Sequence, residues 1–348
     1  MKKRAHPDVD IQSTGSGFEA SIPPLVTCHL IMNPIVIDPA ILPFELTEGA
    51  VLDRATSKEI SLVRKKLPGL AGKGMFDLLA AFETHLEKGS TDGSNRCFTE
   101  TPLAKKDWRY YVVRIQETGA ENTRNTGAIG IDLGYAASIS RVPLEIGTFY
   151  FGDVVHGHRP FLLTSLAFQG HRSGVREVTF ADLTEISTLY ALKLEQVGRT
   201  CGTVGKFPAI GLAMQMLDNL SFQISSSPFR VLGYFAIIEM LITHKPSPDG
   251  GDSILRQMKG KIPLLSRRFD SPLPYPEHFG PSTSVETIWK ALYEYRSLIA
   301  HGAPVSFTAK MQILKDQSVV ESFLLIVVQA LLRHSLREPE LYEDLRAC

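Results

Sequence analysis

Cysteine is scarce here: Cys28, Cys97, Cys201 and Cys348 are the only four in 348 residues, and no Cys-x-x-Cys occurs among them. That spacing excludes a zinc ribbon, a thioredoxin-like redox pair and a secreted disulfide scaffold, and it reads as reduced thiols in a cytoplasmic protein. Net charge is absent too, since 37 Lys and Arg balance 37 Asp and Glu. A binder of nucleic acid or membrane by bulk electrostatics is disfavoured, although a local basic patch is not. Long apolar runs are missing. The most apolar stretch, Phe323 to Leu332, is about half of the ~20 residues a bilayer requires, so it is expected to be a buried helix. The basic start, Met1-Lys-Lys-Arg, has no apolar stretch behind it, so no signal peptide is expected.

Nucleotide-binding loops also fail. In Gly202-Thr-Val-Gly-Lys-Phe207 the first glycine of a phosphate loop is missing and Phe207 stands where Ser or Thr must hold magnesium. Gly127-Ala-Ile-Gly-Ile-Asp-Leu-Gly134 does not fit the dinucleotide fingerprint, and its glycines read as turn residues. His156, His158 and His171 lie close together without an Asp, Glu or Cys at ligand spacing. No metal and no cofactor is expected.

What is present is a change of texture along the chain. At ~100–200 residues per domain the length suggests two domains. Residues 1–20 are polar with Gly and Ser and read as a disordered tail. Residues 21–180 lean to strand: 26–37, 108–115, 144–155 and 160–168 are rich in β-branched and aromatic side chains. Helices are expected at 58–66 and 74–88, and a polar loop at 117–126. From 181 to 348 the pattern is helical. Thr179-Phe-Ala-Asp182 fits a capping box, and further helices are expected at 207–224, 229–244, 252–268, 284–301 and 318–336. A Pro-rich loop, 270–284, separates two of them. The fold class is therefore α+β, a β-rich N-terminal domain followed by an all-α bundle.

The informative stretch is Ile288 to Gly302. Val285, Ile288, Trp289, Leu292, Tyr295 and Ile299 form one apolar helical face, and Arg296 sits on its edge, where a guanidinium needs an anionic partner. His301 follows five residues later, just before Gly302 and Pro304 end the helix, at a position whose dipole favours a cation. A structural role for both, as a buried salt bridge and a helix terminus, is open on spacing alone. Glu239 interrupts the otherwise apolar Val231 to Ile242, so a buried carboxylate there demands a partner, and Arg296 is the natural one.

Tyr295-Arg-Ser-Leu-Ile-Ala-His-Gly302 resembles the Arg-x4–6-His signature of HEPN domains, and within them the ApeA-like group. The helix bearing Glu239, the segment Ser253 to Lys259, the long apolar helix after the motif and Arg337-Glu-Pro-Glu-Leu341 add to the likeness, which covers about residues 205–345. Ser297 departs from the Asn, Asp or His that follows the arginine in many active members. The resemblance implies a helical bundle that dimerises and a metal-independent RNA endonuclease with Arg296 and His301 as catalytic residues. Glu239, Ser297 and Tyr295 would support them. It further implies an RNA substrate, tRNA included, a homodimer, and use as a toxin or antiphage effector restrained by the N-terminal domain and released by a phage-derived trigger or an antitoxin. A catalytically silent module that binds RNA, nucleotide or a protein partner is the alternative. Arg256, Lys259, Lys261, Arg267 and Arg268 crowd one helix and its exit, either as an RNA-phosphate track or as a solvated basic face.

Overall fold

Strand formation in the N-terminal half follows its β-branched and aromatic residues. A computed structural model of the chain describes residues 26–70, 79–88, 98–116, 125–147, 175–200, 205–223, 227–246 and 252–347. β1 (Val26–Leu30), β3 (Phe44–Thr47), β4 (Ala50–Arg54) and β7 (Tyr111–Gln116) form an antiparallel sheet in the order β1-β7-β4-β3. Tyr111, Val112, Val113 and Ile115 are all buried, so β7 is covered on both faces and needs no polar alternation. β2 (Ile35–Ile37) pairs in parallel with β8 (Arg176–Val178), and β5 (Thr84–Lys88) pairs antiparallel with β6 (Phe98–Pro102).

Among these strands run α1 (Ser57–Leu70), the single turn α2 (Ala80–Glu83) and α3 (Asn125–Ile139). After β8 the chain is helical: α4 (Phe180–Gln196), α5 (Pro208–Ser221), α6 (Phe229–Ile242), α7 (Ile254–Ser266), the short α8 (Tyr275–Phe279), α9 (Val285–Ala300), α10 (Gln317–Arg337) and α11 (Pro339–Ala347). The architecture is α+β, with strands first and helices after. The capping box that opens α4 is formed, with Thr179 Oγ1 accepting from the Asp182 N–H and Asp182 accepting from the Thr179 N–H.

Three sequence expectations need correction. Gly127, Gly130 and Gly134 are not in turns but in helix α3. A Cβ at Gly130 would lie 2.5 Å from the His29 ring, so this glycine lets the helix lie directly on β1. Of the helix expected at 74–88, the described residues 79–88 are helical over Ala80–Glu83, and Thr84–Lys88 instead finds a strand partner in Phe98–Pro102, which local periodicity cannot register. In the strand expected at 144–155, the described residues contribute only an isolated bridge between Ile146 and Ile31. The remainder of that strand, the 160–168 strand, the 1–20 tail, residues 117–124 of the polar loop and the three histidines at 156, 158 and 171 lie outside the described residues.

The Pro-rich segment at 270–284 packs through α8, where Tyr275 Oη accepts from Trp289 Nε1 at 2.9 Å and Phe279 meets Phe323 edge to face. One hydrophobic core runs from the sheet through α3 and α4 into the bundle. α10 lies at its centre. It is long and apolar enough to pass for a membrane span, but 72% of that window is buried inside the protein, as a core helix is. It also closes the end of α3: Gln329 donates to the Ser138 carbonyl at 2.7 Å and Arg333 to that of Ile139 at 2.6 Å, satisfying acceptors the helix cannot.

Candidate functional site

The site is built where α6 and α9 meet. Ser284 caps α9, its hydroxyl accepting from the Thr287 N–H at 3.2 Å. Ile288, Trp289, Leu292 and Tyr295 are buried and fix the rotation of the helix. That rotation leaves Arg296 half-buried on the edge facing α6. Glu239 comes from the opposite side, in a helix whose Val231, Phe235, Ile238 and Ile242 are fully buried.

Arg296 Nη2 and Glu239 Oε1 stand 3.4 Å apart, with side-chain exposures of 32% and 23%. The sequence expectation that these two charges meet is met by the structure. The contact is an ion pair without aligned hydrogen-bond geometry: Glu239 Oε1 and Arg296 Nε are both buried with no hydrogen-bond partner among the described residues. Burial pushes the Glu239 carboxyl above its ordinary range, and the Arg296 charge pulls it only part of the way back. The guanidinium also lies 5.7 Å from the Tyr293 ring, which Phe235 of α6 meets edge to face. Arg296 is thus held from two sides, with Nε buried and about a third of the side chain open to solvent.

His301 is the C-cap of α9 and is exposed. Its N–H donates to the Ser297 carbonyl at 3.1 Å, and Ala303 N–H returns to the Leu298 carbonyl at 2.9 Å. Gly302 takes φ +66°, the left-handed conformation that ends helices and that other residues adopt at a cost. The imidazole is therefore presented to solvent on a fixed turn, one helical segment beyond Arg296.

Tyr295 and Ser297 fall differently. Ser297 is half-buried and contributes the carbonyl that closes the helix end. Tyr295 is buried, stacked obliquely on Phe307, and its hydroxyl is pushed up to about 12 by burial and by the nearby Glu321 carboxylate. Glu321 belongs to a cluster that the sequence reading did not single out. Gln317 donates to Glu321 Oε1 at 2.6 Å, Arg230 Nε lies 3.7 Å from Oε2, and Arg230 donates to Tyr234 Oη at 2.8 Å. The signal was available: Glu321, like Glu239, is a carboxylate in an apolar helix.

Three of the five cations of the basic run have partners in other segments. Lys259 pairs with Glu286 at the start of α9, Arg268 with Glu338 at 2.6 Å, and Lys261 donates to the Leu345 carbonyl and contacts His244 Nδ1 at 3.3 Å. These three fasten α7 to its neighbours. Arg256 and Arg267 are exposed. Among the described residues no three His, Cys, Asp or Glu side chains converge in a way that could hold a metal ion. Comparison with known protein families, with curated proteins and with solved structures finds no match to this chain.

Proposed function

We infer that the chain is an RNA endonuclease of the HEPN type, with Arg296 and His301 as its reacting residues. The observation that supports this most is that one helix carries both a partly exposed guanidinium oriented by Glu239 and, at its end, an exposed histidine. A planar guanidinium suits the oxygens of a phosphate, and an exposed imidazole suits proton transfer. Cleavage needs the RNA 2′-OH to lose its proton and attack phosphorus, the bond from phosphorus to the 5′-oxygen to break, and that oxygen to gain a proton. One chain offers one histidine at this helix end. A homodimer that brings two such ends together supplies both an acceptor and a donor of protons.

Used this way the protein is a toxin or antiphage effector acting on RNA such as tRNA, with the strand-rich N-terminal region answering a phage-derived trigger or an antitoxin. The Arg296–Glu239 contact favours one other reading, in which the pair is only structural and the module binds RNA, nucleotide or a protein without cleaving. Incubating the purified protein with total RNA in EDTA, beside a His301→Ala control, separates them. Cleavage by the unaltered protein alone supports the endonuclease. Intact RNA in both samples overturns it.

A further inference from the structure

A chain with no net charge concentrates cations at one place that the reading above does not use. Segments 54–66 and 105–108 together carry seven Lys or Arg and two acids. They are distant in sequence but adjacent in space. Arg54, at the end of β4, donates to the carbonyls of Lys106 and Trp108 at 2.8 and 3.2 Å, which holds the 105–107 turn beside the start of α1. Arg64 of α1 reaches the same turn, its guanidinium 4.9 Å from the Trp108 ring and its Nε 3.0 Å from Glu83.

Of the nearby acids, Asp107 is exposed within the turn itself, and the others are engaged by cations or a hydroxyl. Glu59 and Asp53 both pair with Arg114, and Glu83 takes Arg64 and the Tyr110 hydroxyl. Lys58, Lys65, Lys66, Lys105 and Lys106 are exposed around them. Lys58 and Lys65 are seven residues apart, so two turns of α1 set them on one face about 10 Å apart along the axis.

We propose that this surface binds the phosphate backbone of an RNA strand. The proposal rests on the reading of the chain as acting on RNA, and it places substrate contact on the N-terminal half, away from α9 in sequence. A polyanion needs only cations and hydrogen-bond donors, which the surface has. An anionic membrane is the poorer fit, because attachment to lipid also requires apolar side chains that enter the interface. The exposed large apolar residues among the described ones are Val36, Val175, Phe180, Leu212, Phe229 and Leu264, and none lies in either segment.

The test is the full chain carrying His301→Ala, to prevent cleavage, with and without Lys58→Gln, Lys65→Gln, Lys105→Gln and Lys106→Gln together. All four side chains are exposed, so the melting temperature should not move. Binding of an unstructured RNA oligonucleotide is measured across a salt series. The fourfold variant should bind at least tenfold more weakly at low salt, and the slope of log affinity against log salt should shallow by roughly 2–3, at about 0.7 per phosphate contact. Unchanged affinity and slope overturn the proposal, as does loss of binding to phosphatidylserine vesicles with RNA binding intact. Cleavage by the unaltered chain is scored separately. RNA bound through these lysines but never cleaved leaves the surface standing and removes the endonuclease, whereas cleavage with binding indifferent to the lysines does the reverse.

Discussion

Removing the Arg296 guanidinium should cost stability in a way that depends on pH. In Arg296→Ala the Glu239 carboxylate keeps its place in α6 and loses its cation. Breaking a fully buried ion pair costs ~3–5 kcal/mol, and an exposed one ~0–1 kcal/mol. With side-chain exposures of 32% and 23% and no aligned hydrogen bond, this pair falls between those limits. We expect a loss of about 1–2.5 kcal/mol near neutral pH, or roughly 2–5 °C in melting temperature at about 2 °C per kcal/mol for a large chain.

The sign with pH follows from the carboxyl. Its folded-state affinity for a proton is raised by burial, so its contribution is fully favourable below the unfolded carboxylate range and is lost as pH rises through its folded value. Without Arg296 that penalty grows. The gap between Arg296→Ala and the unaltered protein should therefore be widest at neutral to mildly alkaline pH and narrow as the pH falls and Glu239 takes up its proton. Thermal denaturation followed by circular dichroism across that range measures it. Adding Glu239→Gln to Arg296→Ala should recover most of the loss at neutral pH. A gap that is flat with pH, together with strictly additive single and double variants, would refute the argument that these charges support each other.

Other expectations follow. His29 is buried and its imidazole is lowered to about 4, first by burial. Its stabilising contribution is present above its ordinary value of 6.5 and disappears as pH falls towards 4, a loss of about 3 kcal/mol. The acid branch of the melting profile should flatten in His29→Asn, and an unchanged branch would show that protonation of His29 is not what drives it. In solution, light scattering at micromolar concentration should report twice the chain mass of 38.5 kDa; a monomer that still cleaves RNA would contradict the two-copy site.

The fold was legible where a pattern was local. The α4 capping box, the apolar face of α9 and the stop at Gly302 could each be read from a few neighbouring residues, and all three are formed. The meeting of Arg296 with Glu239 was also legible, because each was a charge on an apolar face that required a partner. What escaped depended on distant partners. Gly130 marks a helix because His29 lies against it, and Thr84–Lys88 is a strand because residues 98–102 pair with it. The basic run on α7 looked continuous in sequence, yet Glu286, Glu338 and the Leu345 carbonyl, from three other segments, engage three of its members. The Arg230–Glu321 cluster went unread although its carboxylate carried the same signal as Glu239.

The central claim is that the end of α9 cleaves RNA through the 2′-hydroxyl, and the chemistry of the product ends tests it most directly. RNA incubated with the unaltered protein should yield fragments with a 2′,3′-cyclic phosphate and a 5′-hydroxyl. His301→Ala, which removes an exposed side chain at a helix end and should keep its stability within about 0.5 kcal/mol of the parent, should yield none. Fragments bearing a 5′-phosphate, or cleavage that survives in the folded His301→Ala protein, would contradict the account.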